Sequence, residues 1–208
     1  MGIYEDKILP LLIDRACSAE LATRQRQLLI PQASGRVLEI GMGSGLNLPF
    51  YDPERVEHVW GLEPSEKLRR MAQKRLHTVS FPVTLLPARA EAIPLPDQAV
   101  DTVVTTYTLC SIADVQQALR EMYRVLKPGG QLLFCEHGQA PEARVQRWQR
   151  RLTPVWKHVS GGCHLDRNIP QHIQEAGFQL NHLEEAYKEG PRILTYHYWG
   201  SAIKPEQG

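Results

Sequence analysis

Directly after the first run of branched aliphatic residues, Val37-Leu38-Glu39-Ile40, comes Gly41-Met42-Gly43-Ser44-Gly45. Glycines on alternate positions let a backbone turn tightly and let a ligand approach where any Cβ would hold it off. A strand that runs into such a turn opens a β-α unit, and the pattern then repeats. Apolar runs at 36–40, 58–62, 83–86, 100–106 and 131–136 are separated by longer stretches of helical period. That alternation predicts an α/β fold with a doubly wound, mostly parallel sheet.

Ser65 and Asp114 stand as N-caps before helices over 66–76 and 115–126, the second ended by Lys127-Pro128-Gly129-Gly130. Further helical patterns cover 4–17, 18–30, 141–158 and 170–176. Strands over 178–186 and 193–203, joined through Lys188-Glu189-Gly190-Pro191, predict an antiparallel C-terminal edge. At 208 residues the chain is expected to form one domain. Lys+Arg 24 against Asp+Glu 23 leaves a formal charge of +1, without the basic excess of a nucleic-acid binder. Cys17, Cys110, Cys135 and Cys163 form no CxxC pair and no zinc spacing, so no metal and a reduced, cytoplasmic setting are expected. The apolar run from Ile8 to Ile13 is broken by Pro10, so no membrane span is expected.

A glycine turn alone is equally well a tight βα connection with nothing bound. Glu63, at the end of the second strand, adds a carboxylate placed to accept hydrogen bonds from both hydroxyls of a ribose. The glycine spacing is not the Gly-x-Gly-x-x-Gly of dinucleotide sites, and no phosphate loop with Gly-Lys-Ser/Thr is present. Glu39 beside the turn would repel a diphosphate but pair, directly or through water, with an amino group. The combination points to S-adenosylmethionine, a phosphate-free nucleoside with a zwitterionic tail.

Ala90-Glu91-Ala92-Ile93-Pro94-Leu95-Pro96-Asp97, followed by Val100-Asp101-Thr102-Val103-Val104, and Arg124-Val125-Leu126-Lys127-Pro128-Gly129-Gly130 resemble the small-molecule branch of the class I S-adenosylmethionine-dependent methyltransferases. Gly45-Leu46-Asn47-Leu48-Pro49-Phe50-Tyr51, Leu109-Cys110-Ser111, Glu136-His137, Gly161-Gly162-Cys163-His164-Leu165-Asp166-Arg167 and Tyr198-Trp199-Gly200-Ser201-Ala202 are similar to the methyltransferase-like thiol S-methyltransferases and their bacterial relatives. The resemblance implies a single Rossmann-like domain over 1–208. Within it, 1–33 would be an N-terminal helical cover, 34–140 the cofactor-binding core, and 141–208 a substrate-side helix, loop and closing strands. It implies a cofactor site built from Glu39, Gly41, Gly43, Gly45, Asn47, Glu63, Pro64, Arg89, Ala90, Glu91, Thr106 and Tyr107, with the adenine at Ala90 and Arg89 standing where the branch commonly carries Asp. The methyl acceptor it implies is a small thiol.

In a doubly wound sheet the ligand lies past the carboxyl ends of the strands, so residues 107–111 and Glu136-His137 should face the reacting methyl. His137, tuned by Glu136, is a candidate general base; a structural histidine is the equal alternative. His164 and Asp166 offer a second acid/base pair on a glycine-hinged loop, against a loop knit by its own hydrogen bonds. Cys110 reads first as a packed thiol, with a pocket wall or an oxidation sensor as alternatives. Tyr4, Trp148, Trp156 and Tyr187 would line an apolar pocket or belong to the core. Arg144, Arg147, Arg150 and Arg151 read as a solvated helix face, with steering of an anionic substrate or peripheral membrane contact as the other reading. A quinone, phenol or lipid amine acceptor, and a non-catalytic S-adenosylmethionine-binding protein, are the competing functions.

Overall fold

The computed structural model describes residues 20–206. The helical pattern over 4–17, with Tyr4 and Cys17, lies outside the described residues. Helix α1 (Glu20–Leu29) and a 3-10 turn (Ile30–Gln32) lead into β1 (Gly35–Ile40), β2 (Val56–Leu62), α2 (Glu66–Gln73), β3 (Val83–Leu86) and β4 (Val100–Thr106). There follow α3 (Val115–Val125), β5 (Leu126–His137), α4 (Ala143–Val159), α5 (Ile169–Glu175), β6 (Gln179–Tyr187) and β7 (Tyr196–Ile203). Both expected caps form: Ser65 Oγ accepts from the Leu68 amide at 3.4 Å, and Asp114 Oδ1 from that of Gln117 at 2.9 Å.

One sheet takes the order β3-β2-β1-β4-β5-β7-β6. Strands β1 to β5 run parallel, and β7 runs antiparallel to both β5 and β6. The closing antiparallel pair forms as expected, with the last strand in sequence turned inward and β6 left as the edge. Composition explains that choice. Most of β6 is exposed and carries Asn181, His182, Glu184 and Glu185, which suit an unpaired edge, whereas β7 is largely buried.

Successive residues of the central strands point to opposite faces, and both faces are buried. Leu38, Val103, Leu132 and Phe134 pack on one side with Leu119, Met122 and Ile173. Val37, Val104, Leu133 and Cys135 pack on the other with Leu29, Ile30 and Val59. This is why these strands read as unbroken apolar runs rather than as alternation. The winding goes outward from β1 to β3, then restarts at β4 on the other side. The reversal opens a crevice past the carboxyl ends of β1 and β4.

The segment Lys127-Pro128-Gly129-Gly130 ends α3, but it is no free loop: β5 begins at Leu126, with a register shift against β4 between Val100 and Thr102. Lys204 holds it. The Gly129 amide donates to the Lys204 carbonyl at 2.8 Å, and the Lys204 amide to that of Gly130 at 2.9 Å. The Lys204 ammonium, 4% exposed, donates to the Tyr123 carbonyl at 2.8 Å and the Leu126 carbonyl at 2.7 Å, capping the C-terminus of α3. Replacing Lys204 by Met would leave both carbonyls without that donor. Chemical denaturation should show Lys204→Met to be less stable by about 1 to 3 kcal/mol, with cofactor affinity unchanged; parental stability would remove Lys204 from the frame.

Candidate active site

The crevice forms a cleft of about 330 Å³. Of the residues expected to bind the cofactor, Gly41, Gly43, Asn47, Glu63, Pro64, Arg89, Ala90, Glu91, Thr106 and Tyr107 stand on its wall. Gly45 and Glu39 stand behind it. A Cβ on Gly45 would meet Leu48 Cδ1 at 2.9 Å and Ala72 at 3.4 Å, so this glycine seats the turn on α2. Gly43 differs. Its φ is +59°, and a Cβ there would meet nothing nearer than the Gly41 carbonyl at 3.9 Å, because the position faces open space in the cleft.

Glu63 ties the turn to the second strand. Its Oε2 accepts from the Gly43 amide at 3.0 Å and its Oε1 from the Ser65 amide at 2.8 Å. Burial raises its pKa above the ordinary carboxylate value, while those two amides and Arg69 pull it back.

Glu39 is 1% exposed, and both oxygens are engaged within the protein. Asn47 Nδ2 donates to Oε1 at 3.0 Å and Tyr51 Oη to Oε2 at 2.8 Å. Asn47 in turn reaches Thr106 Oγ1 at 3.0 Å and accepts from Arg26 Nε at 2.8 Å. Burial pushes Glu39 up to about 7, against the pull of Tyr51, Arg26 and Asn47. The polar wall that a ligand meets is thus Arg26, Asn47 and Thr106, with Glu39 as the anchor beneath.

On the opposite side, Tyr107 follows β4 at φ +56°, a left-handed conformation that costs a non-glycine residue energy and is common at functional sites. Its amide donates to the Cys135 carbonyl at 2.9 Å, and its ring meets His197 edge to face at 5.7 Å. Burial drives His197 down to about 4. His137, 7% exposed, turns Nδ1 toward Cys163 Sγ at 3.9 Å, and its Nε2 has no hydrogen-bond partner among the described residues.

Other placements depart from the sequence reading. No hydrogen bond joins Glu136 to His137 among the described residues: Glu136 Oε1 accepts from the Thr105 hydroxyl and the Thr108 amide, bracing the loop after β4. His164 and Asp166 do not pair. His164 Nδ1 lies 3.2 Å from the Cys110 carbonyl, and Asp166 Oδ1 accepts from Thr153 Oγ1 at 3.1 Å, so both knit the loop to its neighbours. None of His137, His164 and Asp166 stands on the wall of the cleft itself. Trp148 is 48% exposed on the outer surface of α4, and Tyr187 meets Tyr196 edge to face away from the cleft. Arg144, Arg147, Arg150 and Arg151 are exposed, the solvated face that was expected.

The wall also contains Arg26, Ile112, Ala113 and Gly161, which sequence reasoning did not single out. Arg26 sits in Arg24-Gln25-Arg26-Gln27, a string that reads as the wet side of a helix, yet it is 4% exposed. No sequence signal separates it from Arg24. Gly161 was at least marked by the Gly-Gly pair.

Residues 38–134 match the methyltransferase domain family. The chain is 35% identical over 175 residues to the thiol S-methyltransferase TMT1B of Rattus norvegicus, covering 81% of this chain and 70% of that one. To TMT1B of Homo sapiens it is 33% identical over 182 residues, covering 83% and 72%. A demethylmenaquinone methyltransferase of Thermus thermophilus is 31% identical over 173 residues, covering 78% and 79%. Among solved structures, a methyltransferase-like protein of Bacillus halodurans superposes with a TM-score of 0.70 at 18% identity, over 88% of this chain and 98% of that one. The [4+2]-cyclase SpnF reaches 0.71 at 21%, over 89% and 82%, so the architecture also serves other chemistry. The glycine turn, Glu63 at the end of the second strand and this likeness over most of the chain place it among the S-adenosylmethionine-dependent methyltransferases, with S-adenosylmethionine as its cofactor.

Proposed function

We propose that the chain transfers the methyl group to a small thiol, forming a thioether. The observation that carries this reading is the likeness to thiol S-methyltransferases across about four fifths of the chain, which runs through the loops on both sides of the cleft. Bound S-adenosylmethionine supplies a methyl already activated on a cationic sulfur, so the protein's work is alignment, exclusion of water and control of one proton. Gly43 lets the backbone approach the cofactor, and Gly41 leaves room for the Thr108 side chain of the loop after β4. Glu63 accepts from the ribose hydroxyls, and Arg26, Asn47 and Thr106 hold the charged tail. Ala90, with Arg89 and Glu91 beside it, meets the adenine against Pro64 and Ile112.

A thiol reacts as its thiolate, so a group near the acceptor has a proton to take. His137 suits that role better than Asp166 or His164, because its Nε2 is without a hydrogen-bond partner among the described residues while the other two are engaged in the loop. The Thermus demethylmenaquinone methyltransferase match favours a second reading, in which a quinol takes the methyl.

Calorimetry should show Glu63→Ala binding S-adenosylmethionine weaker by about 2 kcal/mol, roughly thirtyfold, from the lost hydroxyl hydrogen bonds. Gly43→Val should abolish binding; unchanged affinity in either variant would move the cofactor elsewhere. His137→Ala should lower turnover about a hundredfold with cofactor affinity retained, whereas Asp166→Ala should keep parental turnover in the folded protein. The reverse order would hand the proton to Asp166. Offered alkyl thiols, amines, phenols and quinols in parallel, the enzyme should methylate the thiols; transfer to quinols alone would replace the thiol reading by the second one.

A further inference from the structure

Two of the three cysteines among the described residues come together beside the cleft, although 53 positions separate them in sequence. Cys110, after β4, and Cys163, after α4, sit on adjoining loops, close enough that each thiol shifts the pKa of the other. Their backbones are already joined. The amide that follows Cys163, that of His164, donates to the Cys110 carbonyl at 2.8 Å, and Arg167 donates to the Leu109 carbonyl. Gly162 lies so close that a Cβ on it would stand 3.0 Å from the Ser111 carbonyl. Closing a sulfur–sulfur bond here therefore calls for rotation of side chains more than movement of loops. The neighbours Ser111 and Gly161 both stand on the cleft wall, so the pair spans the two loops between which an acceptor would enter.

We propose that Cys110 and Cys163 form an oxidative modification site, at which a peroxide closes a disulfide that staples these two loops together and stops methyl transfer. The division of labour is set by surroundings. Cys163 is half-buried with His137 Nδ1 3.9 Å from its sulfur, and the neighbouring Cys110 and His137 together hold it down at about 5 in spite of burial. Cys110 is 4% exposed and pushed well up by Cys163 and by burial. Cys163 is thus the attacking thiolate and Cys110 the resolving thiol. Cys135 is 1% exposed and pushed up to about 12 by burial, which leaves it inert.

The thiolate sulfur of Cys163 attacks one peroxide oxygen, the O–O bond breaks, and Cys163 becomes a sulfenic acid while hydroxide leaves. The Cys110 sulfur then attacks that of Cys163, the S–O bond breaks, and the departing hydroxide takes up the proton lost by the Cys110 thiol. Two thiols and one hydrogen peroxide give one disulfide and two waters. The thiols lose two electrons and the peroxide gains them.

The proposal rests on methyl transfer as such, not on which acceptor takes the methyl. Hydrogen peroxide should yield, after alkylation of remaining thiols and digestion, a linked peptide pair joining Cys110 to Cys163, two hydrogens lighter than the reduced pair. Methyl transfer to whichever acceptor of the panel is used should fall by about tenfold or more, as expected when loops that admit substrate are locked, and dithiothreitol should restore it. In Cys110→Ser and, as a check on folding, Cys110→Ala, the reductant-reversible loss should vanish and Cys163 should be trapped by dimedone as its sulfenic acid. Absence of the linked pair, linkage of Cys163 to Cys17 or Cys135, or a complete linkage with undiminished transfer would each overturn the proposal. Failure of thiols as acceptors, with the linkage and its reversible inhibition intact, would sink only the thiol reading.

Discussion

Everything at the open end of the sheet hangs on one buried carboxylate. Glu39, at the end of β1, draws Asn47 from the glycine turn, Tyr51 beyond it and, through Asn47, Arg26 from α1 and Thr106 from β4 onto a single center. A carboxylate taken fully out of water is costly unless its lone pairs are satisfied, and the neighbours that satisfy it are the groups that shape the cleft. The requirement to cover one charge thereby sets the entry angle of the turn and brings the N-terminal helix into the site.

The two halves of the cleft are built on different terms. The glycine-turn side lies on strand ends and a short turn, where sheet hydrogen bonds hold the backbone. The opposite side consists of the loop after β4, with its left-handed Tyr107, and the segment after α4 that carries Gly161 and Gly162, tied to each other by the His164 amide on the Cys110 carbonyl. Relatives that carry the same cofactor chemistry to thiols or to demethylmenaquinone, and a cyclase on the same architecture, fit that division. Loops vary more readily than the strand ends of a sheet, so one architecture can serve several chemistries.

Burial also redistributes chemistry among residues of the same type. His197 and His137 lie 5.7 Å apart between ring centroids at the ends of β7 and β5, yet the first is bonded to the Thr195 carbonyl and driven down to about 4, while the second keeps a nitrogen without a partner among the described residues. Cys135, Cys110 and Cys163 span the range from an inert packed thiol to a thiolate held down at about 5. Residue type alone separates none of these.

What the sequence by itself determined is what depends on neighbours along the chain. Strands followed by glycines, caps at Ser65 and Asp114, and apolar runs too continuous for a half-exposed sheet are local statements, and they sufficed for the α/β winding, the glycine turn and Glu63. Even there the boundary at Leu126 was obscured, because Lys127 to Gly130 become strand only by pairing with Lys204, far along the chain. Only the tertiary structure decided which polar groups share a space. It put Arg26 into the cleft from a helix that reads as wet, withdrew Glu39 behind Asn47, engaged His164 and Asp166 with different partners, and set Cys110 and Cys163 on adjoining loops. These outcomes turn on desolvation and on hydrogen bonds between segments tens of residues apart, and neither quantity exists until the chain has folded.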